Sequence, residues 1–532
     1  MDTDLCGLLH LGCYQRLGFK RNDAWKRQEA NVKKKKAYSL VYLDGSGDLQ
    51  NMYRKDGAEK LREHVKDKLG QYIEEDINVP GIERRQQRWK DVHRGSVGEN
   101  PVHVCFLSGC HLPGSIDKSN QEIGKIILDV FPDLSSDTYT KQPYLGESAL
   151  HFAIVQNDMD LIQFLVEHGT SLSVRAKGTF FVPPKPMTTE KIFSQKYVYY
   201  GEYPLSFAAS LGLEKVYDYF IDHQVDGNYK DTLVDRQDTH GNTALHMCVL
   251  YHQKSMYLHA IQHPKLKADQ NIKNEMGLTP IAFACWLGHS DMFEFDLDLN
   301  STTFWTYRHV SYVAYRLDNL DSIDSDGKTS DGSALSRIVN GSADVRLEKL
   351  DNADVVTRIG KGSTDVHLDL LKNDVVDKLL HEKWYRYIQR MFIFRFVWTV
   401  LHLILLSVAV YLRPANHDNL LGPTDGKSIV RYITEIGLLI SCTGHLYTEA
   451  RQLKLHGRGC WLLLEQYRHI IHVPSKMIFS MACLLLYVCL AGRLARRYKL
   501  EDMSLMIAVP CSWTYLLFSV GNDDKNKFYS IA

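Results

Sequence analysis

The chain has 532 residues, 45% of them hydrophobic and 24% charged, and its 63 Lys and Arg are balanced by 63 Asp and Glu. That length and composition exclude a disordered chain and leave room for several domains, while zero net charge excludes a strongly basic surface built for nucleic acid. The eleven Cys are odd in number, scattered and never spaced C-x-x-C, which excludes a disulfide scaffold or a zinc knuckle and fits a reduced, cytosolic soluble part.

Residues 1–100 offer little pattern. MDTDLCGLLHLG lacks the basic region and long apolar core of a signal peptide, so the N-terminus is expected to stay in the cytoplasm. The run Asn31-Val32-Lys33-Lys34-Lys35-Lys36 reads first as a solvated basic turn, with binding to acidic lipid or a partner as the alternative.

Residues 101–300 carry a repeat. ESALHFAIVQNDMDLIQFLVEHG (147–169), EYPLSFAASLGLEKVYDYFIDHQ (202–224), GNTALHMCVLYHQKSMYLHAI (241–261) and GLTPIAFACWLGHSDMFEF (277–295) align on a T-P-L-H position. Ser or Thr caps the first helix there, and Pro suits a first turn that needs no amide donor. The Leu and the Ala that follows pack on the next repeat, while Gly212 or Gly288 ends the helix in a left-handed turn. Each unit buries its face only against its neighbour, so the spacing predicts an ankyrin-type stack.

Leu150 and Leu205 lie 55 residues apart, about 22 more than the ankyrin period of ~33. The excess, AKGTFFVPPKPMTTEKIFSQKYVYYGEYPL, predicts a long finger with aromatic pairs Phe180-Phe181 and Tyr199-Tyr200. Those rings either form a subunit-contact surface or cover their own stack. Residues 301–390 are read as a linker with a possible last repeat and a pre-membrane helix. Within it, DVRLEKLDNADVV (344–356) is echoed by DVHLDLLKNDVV (365–376).

Beyond Met391 the apolar residues concentrate. Segments 391–411, 429–449, 474–492 and 503–520 each have about the length of a helix that crosses ~30 Å of hydrocarbon. A soluble helical bundle is the alternative. Arg395, Arg431, Glu435 and His445 interrupt the first two segments and must face one another, a wet cavity or the headgroups. Tyr432, Glu435 and His445 therefore form a candidate ligand or lipid pocket, against plain structural pairing. Segment 503–518 has no Arg series, so voltage sensing is not expected. Residues 521–532 form a polar tail. The sequons at Asn300 and Asn340 fall on the side expected to be cytoplasmic.

No enzyme signature stands out: the chain lacks a phosphate-binding G-x-x-x-x-G-K-[ST] loop, H-E-x-x-H and G-x-S-x-G. It also lacks the Asp-His-His-Cys nucleophile of ankyrin-containing acyltransferases. Neither catalysis nor a cofactor is expected.

YVYYGEYPLSFAA, RQDTHGNTALH (236–246), FWTYRHVSYVAYRLDNLDSID (304–324), HEKWYRY (381–387), AVYLRP (409–414) and AVPCSWTYLLF (508–518) occur in this order. In this set the chain resembles the transient receptor potential vanilloid-type channels, within them the invertebrate sensory, Nanchung- and Inactive-like branch. The resemblance implies a mainly α fold: a cytoplasmic ankyrin stack followed by a membrane helix bundle. It also implies a calcium-permeable cation channel subunit, in a homo- or hetero-tetramer with related subunits and among membrane lipids, in the plasma membrane or a cilium. Trp384 of HEKWYRY would anchor at the interface and couple the stack to the membrane. The resemblance places the fifth helix, filter and sixth helix after Phe518, where this sequence turns polar. A truncated, non-conducting form is therefore expected, with a membrane-anchored ankyrin scaffold or a dominant-negative regulatory subunit as the alternative.

Overall fold

The computed structural model describes residues 40–41, 47–76, 86–95, 97–108, 118–192, 197–226, 233–321, 332–338, 370–413, 426–456, 474–495 and 497–520. The basic run at 31–36, the sequon at Asn340, the run 344–356 with the start of its echo at 365–369, and the tail 521–532 lie outside the described residues. The chain divides into two units, Met1–Leu371 and Lys372–Ala532.

In the first unit, α1 (Asp48–Leu69) bends at Gly57, where φ is 79°. A short hairpin follows, β1 (Ile73–Asp76) antiparallel to β2 (Gln86–Trp89). Helix pairs then succeed one another: α2 (Pro101–Ser108) with α3 (Lys118–Val130), α4 (Ala149–Gln156) with α5 (Met159–Glu167), and α6 (Pro204–Ser210) with α7 (Glu214–Asp226). They continue as α8 (Ala244–Leu250) with α9 (Lys254–Gln262), and α10 (Pro280–Leu287) with α11 (Ser290–Leu299). The antiparallel hairpin β3 (Ser301–Tyr307) and β4 (Val310–Tyr315) comes next, and a turn of helix at 334–338.

Each of the four segments aligned from sequence forms a helix pair, and α2/α3 adds a pair that the alignment missed. Its Asn100-Pro101-Val102-His103 occupies the T-P-L-H position. The histidine of that position explains the spacing. In His151, Nδ1 accepts the backbone N–H of Ser148 at 3.2 Å, while Nε2 reaches the carbonyl of Glu202 in the next repeat, also at 3.2 Å. His246 repeats this with Thr243 and Leu278, and His103 with Asn100 and Asp137. One ring thus caps its own helix and ties it to the following repeat. Gly288 closes α10 at φ 79°, a left-handed conformation that a side chain would strain.

The second unit begins with α12 (Asp374–Lys383), runs through a π-helical turn at Trp384–Ile388, and enters α13 (Gln389–Tyr411). Then come α14 (Gly426–His456), α15 (Pro474–Leu494) and α16 (Tyr498–Val520). Leu406, Leu438, Cys442, Phe479, Cys483, Leu486 and Ala508 form the shared core of the last four helices. Among the described residues, α13 is the one helix both long and apolar enough to cross a membrane by composition, against the four spans expected. In two of the others the difference lies in the charges, since α14 includes Arg431 and Glu435 and α16 begins with Glu501 and Asp502, while in α15 the apolar stretch Ile478–Leu494 is shorter.

Burial lowers the pKa of His103, His151 and His246 from 6.5 to about 4. The unfolded chain therefore takes up protons below 6.5 that the stack refuses, and stability falls as pH falls across that window. Asp238 acts oppositely. Burial raises its carboxyl from 3.8 to about 7, so the folded state holds a proton that the unfolded state has released, and stability rises as pH falls from 7. Asp238→Asn removes this opposing contribution. Urea unfolding should then lose stability more steeply between about pH 7 and 5 than in the parent chain; an unchanged slope contradicts the assignment.

Candidate functional site

The finger folds back on its own stack. Phe181, Tyr199 and Tyr200 are buried, and Phe180 is half-buried. Tyr144 meets Phe180 and Phe181 at 5.1 and 6.3 Å between ring centroids, and Tyr200 meets Phe207 at 5.3 Å. Tyr199 donates its hydroxyl proton to Asp238, which also accepts the backbone N–H groups of His240 and Asn242. Glu202, fully buried, receives both Nε and Nη2 of Arg175 on one oxygen and the backbone N–H of Thr239 on the other. Of the two readings open from the sequence, a contact surface or a cover for their own stack, the burial of these aromatics fits the second. They fill the space between repeats because the segment's backbone is pinned at both ends, Lys177 N–H to Leu145 O and Val198 N–H to Phe180 O.

Exposed aromatics lie instead on the β3–β4 hairpin, where Phe304, Trp305, Tyr307 and Tyr312 are all more than half exposed. Trp305 and Tyr312 stack across the strands at 6.0 Å. The alternation of aromatic and polar residues in FWTYRHVSYVAY was the available signal; it did not tell which face is covered.

The second unit is inverted relative to a soluble bundle. On α14, Arg431, Thr434 and Ser441 are buried while Ile433, Ile436 and Ile440 are about 60% exposed. On α13, His402 is buried against Ser441, its Nδ1 at 3.0 Å from the hydroxyl, while Phe394, Val397 and Ile404 are exposed. Polar groups inside and hydrocarbon outside is the arrangement a lipid solvent selects.

At one end of the bundle the charges converge. Arg493, in the last turn of α15, donates Nε and Nη2 to Glu501 Oε1 at 3.0 and 2.8 Å, and Nη1 to Glu435 Oε2 at 2.7 Å. Arg413, just past α13, lies 2.6 Å from Asp502 and 3.3 Å from Glu501. Arg431 Nε is 3.8 Å from Glu435 and its guanidinium stands 4.8 Å over the Tyr432 ring. Arginines at α13 and α15 C-termini and carboxylates in the first turn of α16 also match the helix dipoles. Beside this network is a cavity of about 60 Å³, lined by Arg413, Glu435 and Arg493 and walled by leucines of all four helices.

The structure thus places Glu435 in a cavity and separates it from the other predicted pocket residues. Tyr432 is not among the lining residues. His445 sits ten positions farther along α14, roughly 15 Å along its axis, packed at 4.6 Å against Phe479. Arg413, Arg493 and Glu501 were missed as partners because each lies near a helix end, where sequence reads as loop charge. Trp384 is half-buried, its ring 5.6 Å from Phe392.

Asp218, His259 and His263 bring three ligand-type atoms within 4.8 Å of one another. The set does not fit a metal as arranged. His263 Nδ1 accepts the backbone N–H groups of Lys265 and Leu266 at 3.3 and 3.2 Å, which puts the ring proton on Nε2, 3.3 Å from Asp218. The lone pair a metal needs is not on offer.

The ankyrin-repeat family pattern matches residues 145–174. The chain is 25% identical over 433 residues to transient receptor potential cation channel subfamily V member 1 of Canis lupus familiaris, covering 76% of this chain and 46% of that protein. It is 28% identical over 236 residues to subfamily V member 5 of Rattus norvegicus (43% of this chain, 29% of the relative) and 28% identical over 244 residues to member 6 of the same species (44% and 28%). The chain is therefore homologous to the vanilloid subfamily of these cation channels, and it spans less than half the length of the relatives it matches.

Removing Arg493 leaves buried Glu501 and half-buried Glu435 without their shared cation. Arg493→Met is expected to cost about 3–5 kcal/mol, and adding Glu435→Gln and Glu501→Gln should recover most of it. Heat unfolding of the chain in detergent gives the order; a single variant as stable as the parent contradicts the network.

Proposed function

We propose that the chain is part of a vanilloid-type cation channel subunit, with the Met1–Leu371 unit as its cytoplasmic ankyrin stack and the Lys372–Ala532 unit as a membrane bundle at the channel's periphery. The observation that carries this reading is a bundle that buries polar side chains beside its apolar core and turns isoleucines and aromatics outward, on the same chain as an ankyrin repeat. The homology supports it: a match covering 76% of the chain exceeds the first unit alone. Calcium permeability, a sensory role, the invertebrate branch, and a plasma-membrane or ciliary location follow from the resemblance in the quoted segments and belong to the proposal.

A cytoplasmic N-terminus would put the α15–α16 connection, with Arg493, Arg496, Arg497 and Lys499, on the outside, against the positive-inside rule; Arg493 is neutralised by two carboxylates and adds little to that count. In a tetramer with related subunits, the contact surface passes from the finger to the β3–β4 hairpin, which offers exposed aromatic area. Trp384, at a π-helical turn leading into α13, is the proposed coupling point between stack and membrane.

Co-expression with a full-length vanilloid-type subunit tests the assignment. Crosslinking should yield mixed oligomers of up to four subunits, and the relative's current should change. Trp305→Ser with Tyr312→Ser should weaken the association read by crosslinking about thirtyfold, by loss of ~1 kcal/mol per aromatic anchor, without unfolding the stack. Absence of any mixed oligomer from correctly folded chains would falsify the proposal.

A further inference from the structure

We propose that the cavity at the charged end of the bundle binds an uncharged amphipath, a hydrocarbon body with a hydroxyl head. The inference rests on the reading of this unit as a membrane bundle. Three properties of the cavity fix the ligand class.

The first is charge. Arg413, Arg431 and Arg493 are matched by Glu435, Glu501 and Asp502 within ion-pair distance. A ligand with a net charge would unbalance that set in a medium of low dielectric, where an unpaired ion is costly. A neutral head leaves it intact.

The second is hydrogen-bonding capacity. A guanidinium has five N–H donors, and Arg493 directs three at carboxylates: Nε and Nη2 to Glu501, Nη1 to Glu435. Arg413 engages Asp502 and Glu501 through Nη2. Donors therefore remain at the cavity's polar end. An acceptor remains too: Glu435 Oε1 has Arg431 Nε at 3.8 Å, beyond hydrogen-bond length. A hydroxyl supplies one acceptor and one donor, and can satisfy an arginine and Glu435 together.

The third is shape. The remaining lining is hydrocarbon, including Leu406, Leu439, Leu486 and Leu505, and the cavity is partly open. Its volume of about 60 Å³ takes the head and a few methylenes, and a longer tail can leave through the opening along helices that are already apolar outside. An alkane gains only the wall contacts, whereas an alcohol also gains a hydrogen bond to charged groups, a difference of about tenfold or more in affinity.

The test is photolabelling of the full chain in lipid nanodiscs with a decan-1-ol carrying a diazirine near its hydroxyl, mapped by mass spectrometry. Labelling is expected on Leu406, Leu439 or Leu486, saturable, and displaced by decan-1-ol at concentrations in the membrane about tenfold or more below those of decane or decanoate. Ala409→Ile, which extends into the cavity, should reduce the labelling. Glu435→Gln leaves one excess positive charge and should shift displacement toward decanoate. Equal displacement by decane and decan-1-ol, or label spread over the outward-facing Ile433, Ile436 and Ile440, overturns the proposal. If labelling fails while the chain still resists carbonate extraction, the cavity inference falls and the membrane reading stands. If the chain is extracted, the membrane reading falls and takes the inference with it.

Discussion

Arg493 stands between Glu435 and Glu501, with hydrogen bonds of 2.7 to 3.0 Å to the two carboxylates. That interaction joins three helices, α14, α15 and α16, at the one end where each would otherwise bury a charge. A buried ion pair is weak evidence of net stability, because desolvation offsets its attraction. What it supplies is register: sliding α15 by a turn would take Arg493 from both carboxylates and leave Glu501 and Glu435 only the longer contacts to Arg413 and Arg431. The leucine core around Leu438 and Leu486 tolerates small shifts far better than this network does.

The same constraint, that a polar group away from water must meet a partner, organises the ankyrin stack by neutral groups. His151 and His246 each satisfy a backbone N–H in their own repeat and a carbonyl in the next. Repeats so joined need contacts only with their neighbours, which is why an excess of about 22 residues between two of them is tolerated. The finger then packs in place because Tyr199 and Glu202 enter the same polar layer. One rule thus produces a water-facing surface in one unit and an apolar surface in the other.

The helices were largely legible in the sequence, since period and caps are local signals. The T-P-L-H register at Ser148, Thr243 and Thr279 located α4, α8 and α10, and the apolar runs located α13 to α16 to within a few residues at most ends. Asn100-Pro101-Val102-His103 was overlooked because Asn and Val replace the more familiar Thr and Leu, although they cap and pack in the same way. The candidate sites were less legible. Whether Phe181 and Tyr200 face water depends on where the chain returns, which no local pattern records. Glu435 was recognised as an intramembrane charge, but its partner Arg493 lies 58 positions away. The grouping with His445 failed because ten residues of helix separate two side chains however alike their chemistry.

The account turns on the second unit crossing a membrane with the first unit inside the cell. Glycosylation mapping measures this directly: an acceptor sequon introduced in residues 414–425, between α13 and α14, or in 457–473, between α14 and α15, is modified only where it reaches the lumen. That arrangement, a first unit inside the cell and a second unit in the membrane, gives a glycan on the first insertion and none on the second. A glycan on the second alone, or on neither while the chain stays in the soluble fraction, contradicts it.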